Sequence, residues 1–160
     1  MDNEDEKYMK IALKEAQKAF NKEEVPVGAI IVKDGLIIAK AHNQKEEKTD
    51  TTKHAEIIAI QKASKKLKSW RLADTTMYVT LEPCTMCIGA VINARIKRLV
   101  YATPDEKTGA CGSVLNIPEE YKFNHVVEIK KGVREEESKQ ILQIFFKNLR
   151  KRKETKHGDK

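Results

Sequence analysis

The chain has 160 residues, 40% of them hydrophobic and 34% charged, with a formal net charge of +7. That length suits one domain with a buried core, and no apolar run approaches the roughly 18 residues a membrane-spanning helix needs. The acidic start, Met1-Asp2-Asn3-Glu4-Asp5-Glu6, is unlike a signal peptide, so a cytoplasmic setting is expected.

Glu4 to Lys22 is predicted to be a helix, with Met9, Leu13, Ala16 and Phe20 forming one apolar stripe. Pro26 ends any helical run. Val27 to Val32 and Leu36 to Ala41 are β-branched strands, and Asp34-Gly35 between them signals a hairpin. The first strand is apolar throughout, as a strand covered on both faces would be. Gly28 within it marks a close approach to the backbone. Asn43 to Lys53 is polar and aperiodic, a loop that runs into a helix over His54 to Leu67, with Ala55, Ile58, Ala59 and Ala63 for packing.

Thr76 to Leu81 is a third strand. Pro83 follows, then a helix over Thr85 to Ala94. Lys97 to Ala102 is a strand, Thr103 to Ser113 a Gly-rich loop, and His125 to Lys130 a last strand broken by Gly132. Glu135 to Arg152 closes the chain as a helix: acidic residues open it, basic residues end it, and Ile141, Leu142, Phe145 and Leu149 form its apolar face. Residues 1–152 are expected to be one domain and 153–160 a basic, disordered tail. Alternating β and α segments predict a three-layer α/β/α domain with a central sheet of about five strands.

Two of the three cysteines are spaced C-x-x-C, at Cys84 and Cys87; Cys111 is left over for a core or loop position. With His54, the pair makes three zinc ligands, each at or beside a predicted helix start. Helix N-termini favour thiolate. Three protein ligands leave a position for water, the catalytic arrangement, whereas structural zinc takes four. Glu56 is two residues past His54 and off its helix face, which suits a proton shuttle rather than a ligand. Zinc lowers the pKa of a bound water to about 7, and hydrolytic deamination needs such a nucleophile. The H-x-E…P-C-x-x-C arrangement is a known signature of zinc-dependent nucleobase deaminases. Two other uses stay open: a structural zinc completed by His125 or Cys111, and a redox C-x-x-C pair, which leaves His54 and Glu56 without a purpose.

The basic end, seven Lys or Arg from Lys147 to Lys160 against Glu154 and Asp159, points to a polyanionic partner. A solvated helix end is the other reading.

Beyond the zinc motif, the chain resembles the bacterial tRNA-specific adenosine deaminase family, within the cytidine deaminase-like superfamily. The resemblance rests on E-V-P-V-G-A-I-I-V at 24–32, H-N at 42–43, T-x-H-A-E at 52–56 and Y-V-T-L-E-P-C-T-M-C-I-G-A at 78–90. It continues through R-I-K-R-L-V-Y at 95–101, D-E-K-T-G-A-C-G-S at 105–113, N-H at 124–125 and F-F-K-N-L-R at 145–150. It implies a mixed sheet of the cytidine deaminase type and one Zn2+ per subunit, held by His54, Cys84 and Cys87, with Glu56 catalytic. The implied reaction converts adenosine to inosine at the first (wobble) anticodon position of tRNA by attack at C6 of a flipped adenine. A homodimer is implied too. By the same resemblance Asn43 bonds the adenine, and Val27, Gly28 and Ala29 line its pocket. Asp105 contacts the ribose-phosphate, and Phe145, Phe146, Lys147 and Arg150 support the anticodon stem-loop. Adjacent helical residues point about 100° apart, so one of the two phenylalanines is expected in the core.

One departure stands out: where the family often has D-P-T, this chain has Asp50-Thr51-Thr52, which predicts a looser loop. A free-base or nucleoside deaminase, such as a guanine deaminase, is the alternative with the same zinc chemistry. An inactive RNA-binding subunit is a third reading, and the intact Glu56 argues against it.

Overall fold

A computed structural model describes residues 2–120 and 122–158. Helix α1 (Asp2–Asn21) precedes the hairpin of β1 (Gly28–Lys33) and β2 (Leu36–His42). Asp34 and Gly35 both take positive φ, 50° and 74°, as a two-residue hairpin turn requires. A short α2 (Lys45–Lys48) then leads into α3 (Ala55–Leu67), β3 (Thr75–Leu81), α4 (Thr85–Asn93) and β4 (Arg98–Thr103). Short α5 (Ile117–Glu120), β5 (Glu128–Lys131) and the long α6 (Glu135–Gly158) complete the chain.

The five strands lie in the order β2-β1-β3-β4-β5. β1 pairs antiparallel with both β2 and β3, while β3–β4 and β4–β5 are parallel. The sheet is thus mixed, and α4 supplies the crossover that a parallel β3–β4 pair requires. Alternation along each strand separates two cores. Ala29, Ile31, Met77, Val79, Leu99 and Tyr101 face α3 and α4. Ile30, Val32, Tyr78, Val100 and Ala102 face α1, and α6 docks on the same side, its Ser138 hydroxyl donating to the Thr80 carbonyl. The result is the expected α/β/α sandwich.

The packing face of α1 is not the predicted stripe. Tyr8, Met9, Ala12, Ala16 and Ala19 are buried, while Leu13 and Phe20 are only partly so. The alanines allow a close approach: a Cβ on Gly28 would lie 2.0 Å from the Ala12 carbonyl oxygen and 2.5 Å from the Ala16 nitrogen. Helix α6 also departs from expectation. It continues past Arg152 to Gly158, where a disordered tail was expected. Residues 153–157 contain neither Gly nor Pro, and Lys and Arg near a helix C-terminus favour its continuation. Residues 159–160 lie outside the described residues.

Candidate metal centre and RNA-facing groove

His54 and Cys84 are the N-cap residues of α3 and α4, both in extended backbone conformations, and neither side chain caps its own helix. An N-cap side chain normally turns back to the helix amides. Here both are free to turn toward each other. His54 Nδ1 lies 3.7 Å from Cys84 Sγ and 3.5 Å from Cys87 Sγ. The three ligand atoms all fall within 4.8 Å of one another. Tetrahedral zinc with ordinary Zn–N and Zn–S bonds would separate such N and S atoms by about 3.6 Å. The donor set therefore fits one small cation. Cys111 and His125 are not in the cluster; His125 Nε2 instead donates to the Ile96 carbonyl at 2.7 Å. The structural-zinc alternative loses both of its proposed fourth ligands.

The three groups shift one another's proton affinities. The Cys84 thiol is brought down to about 4, first by the hydrogen bond from Cys87 and then by the one from His54. Cys87 moves the opposite way, because it donates to Cys84 and is buried. The hydrogen bond to Cys84 raises His54. Glu56, in the first turn of α3 and 4% exposed, is pushed up to about 7, mainly by burial. A carboxyl that titrates near neutrality can take up and release a proton at working pH.

The α3 N-terminus still needs a cap, and Asn43 supplies it: the Ala55 N–H donates to Asn43 Oδ1 at 2.8 Å. The loop between them is firmer than its missing proline predicts. The Thr52 amide and hydroxyl both donate to Asp50 Oδ1, at 2.8 and 2.6 Å. This Asx turn does the work of a rigid Pro.

Comparison with known proteins decides the family. The model for MafB19-like deaminases matches residues 3–150. A tRNA-specific adenosine deaminase of Bacillus subtilis is 49% identical over 94% of this chain and 93% of its own length. One from Haemophilus influenzae is 47% identical over 93% of this chain and 87% of its own. A solved structure from work on A-to-I editing by tRNA:A34 deaminases at the wobble position superposes with a TM-score of 0.81. It is 43% identical and covers 84% of this chain and 97% of that one. The chain belongs to the tRNA-specific adenosine deaminase family.

The remaining positions singled out in this deaminase fall into two groups. A groove of about 850 Å³ runs between the loop after β4 and helix α6. Asp105 and Lys107 line one wall, and Leu142, Phe146 and Arg150, one helical turn apart, line the other. Phe146 is 40% exposed there, whereas Phe145 is 7% exposed and packs edge-on against Phe20. Phe145 is thus the core residue of the pair. Lys147 is exposed outside the groove lining. The Asp105 carboxylate is committed to its own loop. It accepts from the Lys107 and Thr108 amides at 3.0 and 3.2 Å and from the Thr108 hydroxyl at 2.8 Å.

Gly28 faces α1, opposite to Ala29, so the close approach it permits is a helix and not a base. Ala29 is fully buried in the α3-side core, and Val27, also buried, accepts the Asn43 N–H through its carbonyl at 3.1 Å.

Two further buried carboxylates each hold a loop. Glu24 accepts from the α2 amides of Glu46 and Glu47 at 3.0 and 2.7 Å and steadies the start of the loop to His54. Glu82, directly before Pro83-Cys84, holds the loop after β4. It lies in the matching stretch at 78–90, which does not say what its carboxylate binds.

Proposed function

We propose that this protein converts adenosine to inosine at the first anticodon position of tRNA, with one zinc per subunit held by His54, Cys84 and Cys87. The observation that carries this reading is the three-ligand cluster with a buried, near-neutral carboxyl at Glu56 beside it. A bound zinc would supply a water activated for attack near neutral pH. Glu56 takes the proton from that water and passes it to the ring nitrogen next to C6. As the water's oxygen adds at C6, Glu56 takes the second proton from that oxygen and gives it to the departing amine, so that ammonia leaves as the C6 carbonyl forms.

Asn43 has its Oδ1 committed to Ala55, so its Nδ2 is the group left to donate to an acceptor on the purine edge. Val27 and Ala29 form the backing of the base pocket from the core. Asp105 orders the loop that meets the target nucleotide, while Phe146, Lys147 and Arg150 receive the anticodon stem-loop. An anticodon loop already splays its bases, so flipping one costs less than from a duplex. The deaminase unit is residues 1–152, and the basic turns beyond it add attraction for phosphate. We also infer a homodimer; exposed Trp70, Val114, Leu115 and Val126 supply apolar surface that a second copy would cover. A tRNA substrate goes with a cytoplasmic site of action. No helix among the described residues is long and apolar enough to cross a membrane.

The test supplies zinc-loaded protein with a tRNA transcript bearing adenosine at the first anticodon position and scores inosine. A parallel assay supplies guanine, adenine and cytidine and scores ammonia. Inosine at that position with no ammonia from the free bases is expected. Ammonia from one of these small substrates with untouched tRNA would move the protein to the free-base or nucleoside deaminase reading.

A further inference from the structure

Glu82 is 2% exposed and directly follows β3, two residues before Cys84. Its carboxylate is surrounded by donors from a single distant segment. Oε1 accepts the Asp105 N–H at 3.0 Å and the Ser113 hydroxyl. Oε2 accepts the N–H groups of Cys111 and Ser113 at 2.9 and 3.1 Å. Charge-assisted bonds of this kind are about twice as strong as neutral ones. The backbone has wrapped itself around an anion carried by the protein itself, much as a nest of amides wraps a bound one.

The wrapping is tight. A Cβ on Gly109 would lie 2.4 Å from Glu82 Oε2, so only glycine allows the chain to pass. Two backbone bonds flank the carboxylate: Glu82 N–H to the Thr103 carbonyl, and Ala110 N–H to the carbonyl of Pro83, both 2.9 Å. From this anchor the Asp105 side chain winds the outer turn through Lys107 and Thr108, and that turn is the wall of the groove facing Phe146 and Arg150. The ligands themselves are held by other means, at the N-termini of α3 and α4.

We propose that Glu82 is a positioning residue: it fixes the groove loop 105–113 to the metal-ligand turn, so that bound RNA is held in register with the metal centre. The inference rests on the proposed tRNA function. Its direct consequence is a division of effects. Loosening Glu82 frees the RNA wall while the ligand cluster stays assembled.

Glu82→Gln tests this with no change of shape. The amide NH2 can take the Oε1 position, where the Ser113 hydroxyl can rotate to accept from it. The Asp105 N–H then faces a donor and loses its partner. Two readouts are needed. Amide hydrogen exchange needs no substrate: Asp105 is expected to exchange at least tenfold faster, with Cys111 and Ser113 closer to wild type. In the inosine assay KM for tRNA is expected to rise about tenfold, with kcat within about threefold and one zinc per chain retained. Ser113→Ala, which removes one bond and no charge, is expected to shift KM the same way by a smaller factor.

Zinc loss, a kcat loss at unchanged KM, or unchanged exchange at Asp105 in Glu82→Gln would each overturn the proposal. So would a Glu82→Gln chain that does not fold, if Ser113→Ala keeps the wild-type KM. If wild-type protein makes no inosine, the RNA reading fails by itself, and faster exchange at Asp105 still separates that failure from a failure of the anchor.

Discussion

Asp5 and Glu82 are both buried carboxylates, and they are satisfied in opposite ways. Asp5 draws on side chains from three strands. Arg98 of β4 grips both its oxygens at 2.8 Å, Lys130 of β5 reaches it at 2.8 Å, and the Tyr78 hydroxyl of β3 donates at 2.7 Å. The Arg98 bond, before all else, holds Asp5 well below the usual carboxylate range. Glu82 draws on the backbone and one hydroxyl of a single loop. A carboxylate bound to cations from several strands ties the fold together, because each partner brings a different element. A carboxylate bound to several amides of one segment gives a shape to one loop. Glu56 is a third kind: burial pushes it up to about 7.

The largest expected effect comes from this third carboxyl. Glu56→Gln should keep zinc and thermal stability while turnover falls by about a thousandfold or more; near-normal turnover would remove Glu56 from the chemistry. Asp5→Asn should do the reverse. It leaves Arg98 and Lys130 facing a neutral group, at a cost of about 3 kcal/mol in urea unfolding, with kcat per folded molecule unchanged. A change in kcat without a change in stability would erase the distinction between the two carboxylates.

The contribution of Asp5 should also depend on pH with a definite sign. Its folded pKa is depressed, so its stabilisation is present above the unfolded value of about 4 and is lost as pH falls through the folded value. The gap in unfolding free energy between wild type and Asp5→Asn should therefore be full at pH 7 and shrink below about pH 4. A constant gap down to pH 2 would contradict the assignment.

The adjacent phenylalanines repeat the contrast on a smaller scale. Phe145→Ala should cost about 3 kcal/mol of stability with little change in KM. Phe146→Ala should raise KM for tRNA severalfold and leave the melting temperature within a few degrees. The smallest effect is expected at Lys147→Ala, which should lower the slope of log affinity against log salt by about one, uniformly across tRNAs. An unchanged slope would return Lys147 to the solvated surface.

The same contrast explains what is legible in the sequence. His54, Glu56, Cys84 and Cys87 sit in short motifs beside helix starts, where local chemistry identifies them. The hairpin at Asp34-Gly35 is legible for the same reason. The Asp5 cluster is not, because its partners lie 73, 93 and 125 residues away along the chain. Glu82 is harder still, since amide partners have no residue identity to search for. The α1 stripe misleads because side-chain volume shows in a sequence and closeness of approach does not: Leu13 and Phe20 look like core, but Gly28 draws in Ala12 and Ala16. Asn43 offers a donor and an acceptor, and only the structure reveals that the acceptor is taken by a helix cap.

Strand order also bears on how the chain is made. When Thr103 has been added, four of the five strands and both helices that present His54, Cys84 and Cys87 already exist. The 105–113 loop, one edge strand and α6 are added after it. The elements that present the ligand cluster are therefore synthesised ahead of the loop and helix that wall the groove.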